Sequence, residues 1–348
     1  MNDGHEITQV FPDYAKGGLI DRYWHDPKAR QENLMEHFRL GVRPYHHIQK
    51  EDTDIVLMYA MPWSDINTNY VIEGLQWYTD RKIPIYYICA DYEIENTRAG
   101  DSVIFKIIRT RHPEIWANIK HIFTCIPFYP EKLKNEFGLE NVTYIPTTYD
   151  PSYELPIRNV HERDSTLIFG GPISFRHNLF AHMDKLVKSS DRLCHFYNES
   201  DKARRNSRAK DPIDVRATYK DSPNVVVYDE PIYMAYPEYL AKLTNSCFAV
   251  GDSTFTDLNI GHDVNHHTTR IIDGLYAGCL SLMTETQSIK LYVGNPDQFF
   301  IERFDQDDFM AVLSNSIFFD DAVRARREAF NEAFGIDRWY PIFASKLV

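Results

Sequence analysis

The sequence predicts an α/β protein built as two doubly wound halves, each a parallel sheet wrapped by helices. Three observations predict it. From residue 54 onward, short apolar runs alternate with longer amphipathic ones, the pattern of strands and helices in a parallel sheet. The alternation is broken once, by the polar, proline-bearing stretch Pro146 to Arg163, and then restarts. The first apolar run after the break ends in two glycines, Gly170 and Gly171, ahead of a helical stretch, as phosphate-binding βα turns do.

In the first half, strands are expected at Asp54 to Ala60, Ile83 to Cys89, His121 to Ile126 and Val142 to Ile145, all short and rich in β-branched and aromatic residues. Helices fall between them at Tyr70 to Thr79, Ser102 to Asn118 and Pro130 to Phe137. Ahead of these, Ile7 to Phe11 reads as an opening strand and Ala29 to Arg39 as a helix. The second half repeats the scheme. Its strands are expected at Thr166 to Phe169, Leu193 to Tyr197, Asn224 to Tyr228, Cys247 to Val250, Leu280 to Met283 and Gln298 to Ile301. Its helices are expected at Asn178 to Ser189, Tyr236 to Asn245, Thr269 to Ala277, Asp307 to Ser314 and Ala322 to Phe334. The polar break is read as a linker. The resulting division is a first domain over 1–150, a second over 151–335, and a C-terminal helix over 336–348 packing back on the first. Two such halves leave a cleft at the carboxyl ends of their sheets, where these folds bind ligands.

Composition narrows the function. No apolar run approaches the roughly 20 residues of a membrane span, and the start lacks the basic and apolar regions of a signal peptide. The five cysteines, Cys89, Cys125, Cys194, Cys247 and Cys279, are scattered and form no C-x-x-C pair, which disfavours disulfides and zinc. The expectation is a cytosolic protein with structural thiols. A net charge of −12 argues against a protein that coats nucleic acid by bulk electrostatics, and leaves room for a local basic groove. The densest basic stretch is Lys202, Arg204, Arg205, Arg208 and Lys210; such a run also serves as a solvated face. No G-x-G-x-x-G follows any strand, which lowers the odds of a dinucleotide oxidoreductase.

Four constellations carry chemistry. In the run from Thr166 to Arg176, glycines let the backbone approach a ligand, Ser174 can donate a hydrogen bond, and Arg176 offers a planar fork for phosphate oxygens. A plain βα turn needing glycine for positive φ would leave the same trace. Arg270 and Asp273, three apart at a helix start, share one face. A cation there opposes the helix dipole, which favours an anionic partner for Arg270; Asp273 suits ribose hydroxyls. The alternative is a surface ion pair between the two. Asp91, just past the Ile85–Ala90 run, stands where α/β enzymes keep catalytic groups and could serve as a general base, or as a helix cap. The polar loop from Asp252 to Thr269, with Asp257, His262, Asp263, His266 and His267, matches no metal spacing and reads as substrate-facing.

These pieces, in this order, resemble the DNA β-glucosyltransferase family of T-even bacteriophages. The resemblance runs from about Asp54 to Tyr92 and from about Thr166 to Met283, roughly half the chain at low identity. Ile85-Tyr-Tyr-Ile-Cys-Ala-Asp91 looks like the segment ending in the family's catalytic aspartate. Ile168-Phe-Gly170-Gly171, then Ser174-Phe-Arg176, looks like its diphosphate loop with Pro172 and Ile173 inserted. Arg270-Ile-Ile-Asp273 looks like its diphosphate arginine and ribose carboxylate, with aspartate in place of glutamate. Pro231 and Ile232 fall where the family lines its uracil pocket, and Lys202 to Lys210 where it carries basic residues facing DNA. The family's second loop arginine is Phe180 here.

The resemblance implies a GT-B fold, two Rossmann-like domains facing each other. It implies a UDP-sugar donor, UDP-glucose foremost, and inverting transfer to a hydroxymethyl group of 5-hydroxymethylcytosine or 5-hydroxymethyluracil in double-stranded DNA. Asp91 would be the base, and a divalent metal could assist UDP release without being obligatory. A monomer in the cytoplasm of a phage-infected bacterium fits this reading. The alternatives are the same fold with a non-DNA acceptor, or a nucleotide-binding protein without transfer activity.

Overall fold

The computed structural model describes residues 10–11, 43–44, 53–60, 68–89, 104–171, 173, 176–197, 211–229, 236–251, 267 and 269–347. Contacts divide the chain into two compact units, Met1–Tyr144 with Ser345–Val348, and Ile145–Ala344.

The N-terminal unit holds a short parallel pair, β1 (Val10–Phe11) and β2 (Arg43–Pro44), and a four-stranded parallel sheet. The sheet order is β3 (Val56–Ala60), β4 (Ile85–Cys89), β5 (Ile119–Thr124) and β6 (Val142–Tyr144). The intervening helices are α1 (Thr68–Asp80), α2 (Ile104–Arg111), α3 (Pro113–Asn118) and α4 (Tyr129–Phe137). One continuous helix was the expectation for 102–118. Pro113 instead starts a new helix at its first turn, where its missing N–H costs nothing. Trp116 lies in α3, which feeds the amino end of β5, on the opposite edge of the sheet from the carboxyl ends.

The C-terminal unit is a five-stranded parallel sheet. Its strands are β7 (Ser165–Phe169), β8 (Leu193–Phe196), β9 (Val225–Val227), β10 (Ser246–Gly251) and β11 (Leu280–Met283), ordered β11-β10-β7-β8-β9. The helices are α5 (His177–Lys188), α6 (Val215–Thr218), α7 (Tyr236–Leu243), α8 (Thr269–Tyr276), α9 (Gln287–Tyr292), α10 (Gln306–Ser314), α11 (Ser316–Phe334) and α12 (Ile336–Ala344). Both sheet faces are buried, as a parallel sheet requires. Leu167, Phe169, Phe196, Phe248 and Leu282 face a core with Leu179, Phe309 and Phe319. The alternating residues Ile168, Tyr197, Ala249 and Met283 face Ile271, Leu275, Phe330 and Phe334, the two-residue period of a pleated strand.

Four expectations change here. Residues 298–301 form 3-10 turns, Pro296–Phe299 and Ile301–Arg303, with only a single bridge from Phe300 to Met283. Phe299, Phe300 and Ile301 are all buried, as residues of a doubly covered strand would be, but Pro296 opens a 3-10 turn instead. Helix α11 starts at Ser316, six residues earlier than expected, because the Asn315 side chain accepts from the Ile317 and Phe318 N–H groups and caps it. The stretch read as a linker is packed: Tyr149 and Val160 are fully buried, and residues 145–163 fall within the C-terminal unit. Residues 336–348 divide as well. Helix α12 belongs with the C-terminal unit, where Trp339 Nε1 donates to the Ala333 carbonyl at 2.9 Å, and Ser345–Val348 group with the N-terminal unit.

Candidate functional site

The strand order of the C-terminal sheet fixes where a ligand belongs. Chain order proceeds outward from β7 through β8 to β9, then returns to the other side with β10 and β11. The connections after β7 and β10 therefore diverge to opposite faces, leaving a crevice at the carboxyl ends of these two strands. Gly170 and Gly171 follow β7, and Arg270 opens α8, the helix that follows β10.

The two segments meet. A Cβ placed on Gly171 would stand 3.2 Å from Arg270 Nη2 and 3.4 Å from its Cζ and Nη1. Gly171 is buried, so the guanidinium lies directly against bare backbone. Neither glycine is among those with positive φ, which in the described residues are Gly138 and Gly278. The turn needs glycine for space, not for a left-handed conformation. Arg176 takes the N-cap position of α5 without capping by its side chain, and its Cζ lies 5.9 Å from the Phe169 ring centroid. Arg270 thus lies against Gly171, and Arg176 opens the helix that follows the same strand.

Helix α8 is held deep by its own glycine. A Cβ on Gly274 would come within 2.4 Å of both Ala249 Cβ and Ser281 Oγ, so only glycine lets the helix lie this close to β10 and β11. The Ser281 hydroxyl donates to the Ile271 carbonyl at 2.9 Å and locks the contact. Asp273, one turn in from Arg270, is 9% exposed. Among the described residues no carboxylate stands within ion-pair distance of Arg270, so the surface ion pair with Asp273 does not form. Tyr239 of α7 feels both charges. Burial, and then the Asp273 carboxylate, push its phenol above the ordinary range, while Arg270 acts in the opposite direction. Sequence reasoning passed over Tyr239 and Gly274; a glycine inside a helical pattern was the available signal for the latter.

Other expected site residues are placed differently. Asp91, Ser174, Ile232, Lys202, Arg204, Arg205, Arg208 and Lys210 lie outside the described residues, as do Asp257, His262, Asp263 and His266. Phe180 packs against the sheet core, its ring 5.9 Å from that of Tyr219. His267 does not face a substrate. It is 1% exposed, 2.7 Å through Nε2 from the Thr147 carbonyl, and set against Phe334. Among the described residues no group of three or more His, Cys, Asp or Glu is arranged to hold a metal ion, and no helix is long and apolar enough to cross a membrane.

Comparison with solved structures gives the architecture its class. An alpha-glucosyltransferase in complex with UDP is similar over 99% of this chain and 92% of its own, with a TM-score of 0.66 at 12% identity. An alpha-glucosyltransferase in complex with UDP-glucose and DNA containing an abasic site is similar over 99% and 91%, with a TM-score of 0.60 at 14% identity. The fold is that of the GT-B glycosyltransferases. A mutant of S. aureus TarM in complex with fondaparinux, alpha-GlcNAc-glycerol and UDP is also similar, covering 87% of this chain and 58% of its own, with a TM-score of 0.53 at 13% identity. No protein-family model and no curated protein matches the sequence, so the likeness is one of fold.

Proposed function

We propose that this protein transfers a sugar, glucose foremost, from a UDP-sugar to the hydroxymethyl group of a modified pyrimidine in double-stranded DNA. The observation that carries the donor half is Arg270 standing on bare Gly171 backbone at the crevice of the C-terminal sheet, with Asp273 one turn away. That arrangement suits a nucleoside diphosphate: the guanidinium groups of Arg270 and Arg176 and the turn at Gly170 and Gly171 for the diphosphate, Asp273 for the ribose hydroxyls. Ser174 would add a donor, and Ile232 would line the base. Negative charge grows on UDP as the glycosidic bond breaks, and preorganised donors of this kind typically supply about 2.7–4 kcal/mol each.

The acceptor half is supported by the resemblance at Asp91 and the basic stretch from Lys202 to Lys210, and by the DNA-bound glucosyltransferases that share the fold. Asp91 would take the proton of the acceptor hydroxyl as its oxygen attacks the anomeric carbon and the bond to UDP breaks. A duplex base must leave the stack to reach such a group. The protein would act as a monomer in the cytoplasm of a phage-infected bacterium.

Stereochemistry has two readings. A base on the acceptor side fits one in-line displacement with inversion. The alpha designation of the glucosyltransferases sharing the fold favours retention from an α-linked donor instead. The attacking and leaving oxygens would then share one face of the sugar, and a leaving diphosphate oxygen could take the proton. Mass spectrometry of nucleosides from hydroxymethylcytosine- and hydroxymethyluracil-containing DNA, incubated with the protein and UDP-sugars, tests the reading. A hexose or pentose increment on one base supports it, and the anomeric configuration of the product separates inversion from retention. UDP-sugar hydrolysis without an increment would remove DNA as the acceptor.

A further inference from the structure

A buried histidine outside the phosphate cradle ties it to the segment by which the chain enters the C-terminal unit. His267 lies two residues ahead of α8, with Nε2 2.7 Å from the Thr147 carbonyl and Nδ1 3.4 Å from Ser288 Oγ of α9. A carbonyl can only accept, so Nε2 carries a proton; in the neutral ring Nδ1 then accepts from the serine hydroxyl. The Phe334 and Phe330 rings, 4.1 and 5.1 Å away, fix the imidazole plane.

The far end of α8 is bonded to the same segment. The Tyr276 hydroxyl accepts from the Asp150 N–H at 2.9 Å, and its ring stacks on Tyr149 at 4.9 Å. The Leu155 N–H donates to the Tyr276 carbonyl at 2.7 Å. Arg327 of α11 donates to the Leu275, Tyr276 and Leu155 carbonyls and pairs with Glu154 at 3.1 Å. Both ends of the helix whose first turn carries Arg270 and Asp273 are therefore fastened to residues 147–155. That segment is in turn pinned to the junction of α11 and α12, through Tyr149 N–H to the Phe334 carbonyl and Ile336 N–H to the Tyr149 carbonyl, each 2.9 Å.

We propose that His267 is a positioning residue that couples occupancy of the Arg270–Gly171 cradle to the order of the entry segment. Binding a nucleoside diphosphate then tightens residues 145–155, and loosening the Thr147 contact weakens the nucleotide site. The inference rests on the UDP site proposed above. Its purpose is distinct from catalysis: His267 touches no reacting atom and acts through the angle at which α8 presents Arg270.

The test is UDP titration calorimetry and amide hydrogen exchange over 145–155, with and without UDP, on the wild-type protein and two variants. His267→Phe keeps an aromatic ring between the phenylalanines and removes both polar contacts. It is expected to weaken UDP binding roughly tenfold, within the usual range of coupling between sites, and to abolish UDP-induced protection of 145–155. His267→Gln, whose amide can donate to the Thr147 carbonyl, is expected to recover affinity to within about threefold of wild type. Phe319→Leu, in the core on the opposite sheet face, should lower the Tm without changing UDP affinity. If His267→Phe does not fold, Ser288→Ala removes the Nδ1 partner alone and should still reduce the protection. Wild-type affinity and full protection in His267→Phe or, in its place, Ser288→Ala overturn the coupling. No UDP binding by the wild-type protein overturns the donor reading itself, and the coupling with it.

Discussion

Adding one methyl group at Gly171 separates binding from stability. The new Cβ would meet the Arg270 guanidinium at 3.2–3.4 Å, close enough that the guanidinium must give way by a few tenths of an ångström. The neighbour is the flexible end of a side chain, so the fold yields cheaply, at under about 0.5 kcal/mol. The cost falls on the ligand. A hydrogen bond to a charged group contributes about 1.5–3 kcal/mol, so removing one outright would weaken UDP binding roughly 10- to 150-fold. A partial shift favours the lower end, and Gly171→Ala is expected to raise the Kd for UDP about tenfold with an unchanged Tm. Gly274→Ala supplies the contrast. Its Cβ would come within 2.4 Å of Ala249 Cβ and Ser281 Oγ, where α8 as a whole must move. Overpacking of this kind costs about 1–3 kcal/mol, some 2–4 °C of Tm per kcal/mol in a unit of this size. Calorimetric titration with UDP and thermal unfolding decide both. Wild-type UDP affinity in Gly171→Ala would refute the idea that Arg270 and the glycine turn bind one ligand.

Further outcomes follow from the same geometry. Arg270→Ala should weaken UDP binding at least tenfold, read by the same titration. Asp91→Ala should abolish transfer while leaving UDP-sugar binding intact if the reaction inverts; substantial residual turnover would favour retention. If the stretch Lys202 to Lys210 binds DNA, replacing two of its basic residues by alanine should flatten the slope of log K against log salt by about 0.9 for each phosphate no longer neutralised. Burial pushes the Cys194 thiol up to about 12 and the Cys279 thiol up to about 11. Both stay protonated at pH 8 in the folded protein, and labelling with a thiol reagent should reach them only on unfolding.

The parallel sheets were legible because their strands are short apolar runs, those at the centre of the C-terminal sheet buried on both faces, and nine of the ten strands expected from residue 54 onward form within a few residues of their expected bounds. The exception at 298–301 shows the limit. Consecutive burial of Phe299, Phe300 and Ile301 gives the same apolar run whether the backbone extends or turns, and Pro296 decides for the turn. The start of α11 was hidden for the opposite reason, since Ile317 and Phe318 lie exposed and carry no core-facing periodicity. At the site, Gly171 and Arg270 were each visible as chemistry, but their meeting was not: ninety-nine residues separate them, and only the return of β10 beside β7 joins them. His267 was misread because a polar loop disguises a histidine whose partners, Thr147 and Phe334, are supplied from distant parts of the chain.

That return strand also makes nucleotide binding a report on folding. Neither β7 with its glycine turn nor β10 with α8 holds a complete cradle, so a chain halted before β10 docks has the glycines without the arginine. A bound diphosphate therefore favours only states in which β10 and α8 have docked beside β7. At a ligand concentration a hundred times its Kd, it would stabilise those states over ones lacking that pairing by about 2.7 kcal/mol. UDP in a refolding buffer should accordingly act late, holding the assembled unit together without hastening the first strand pairings.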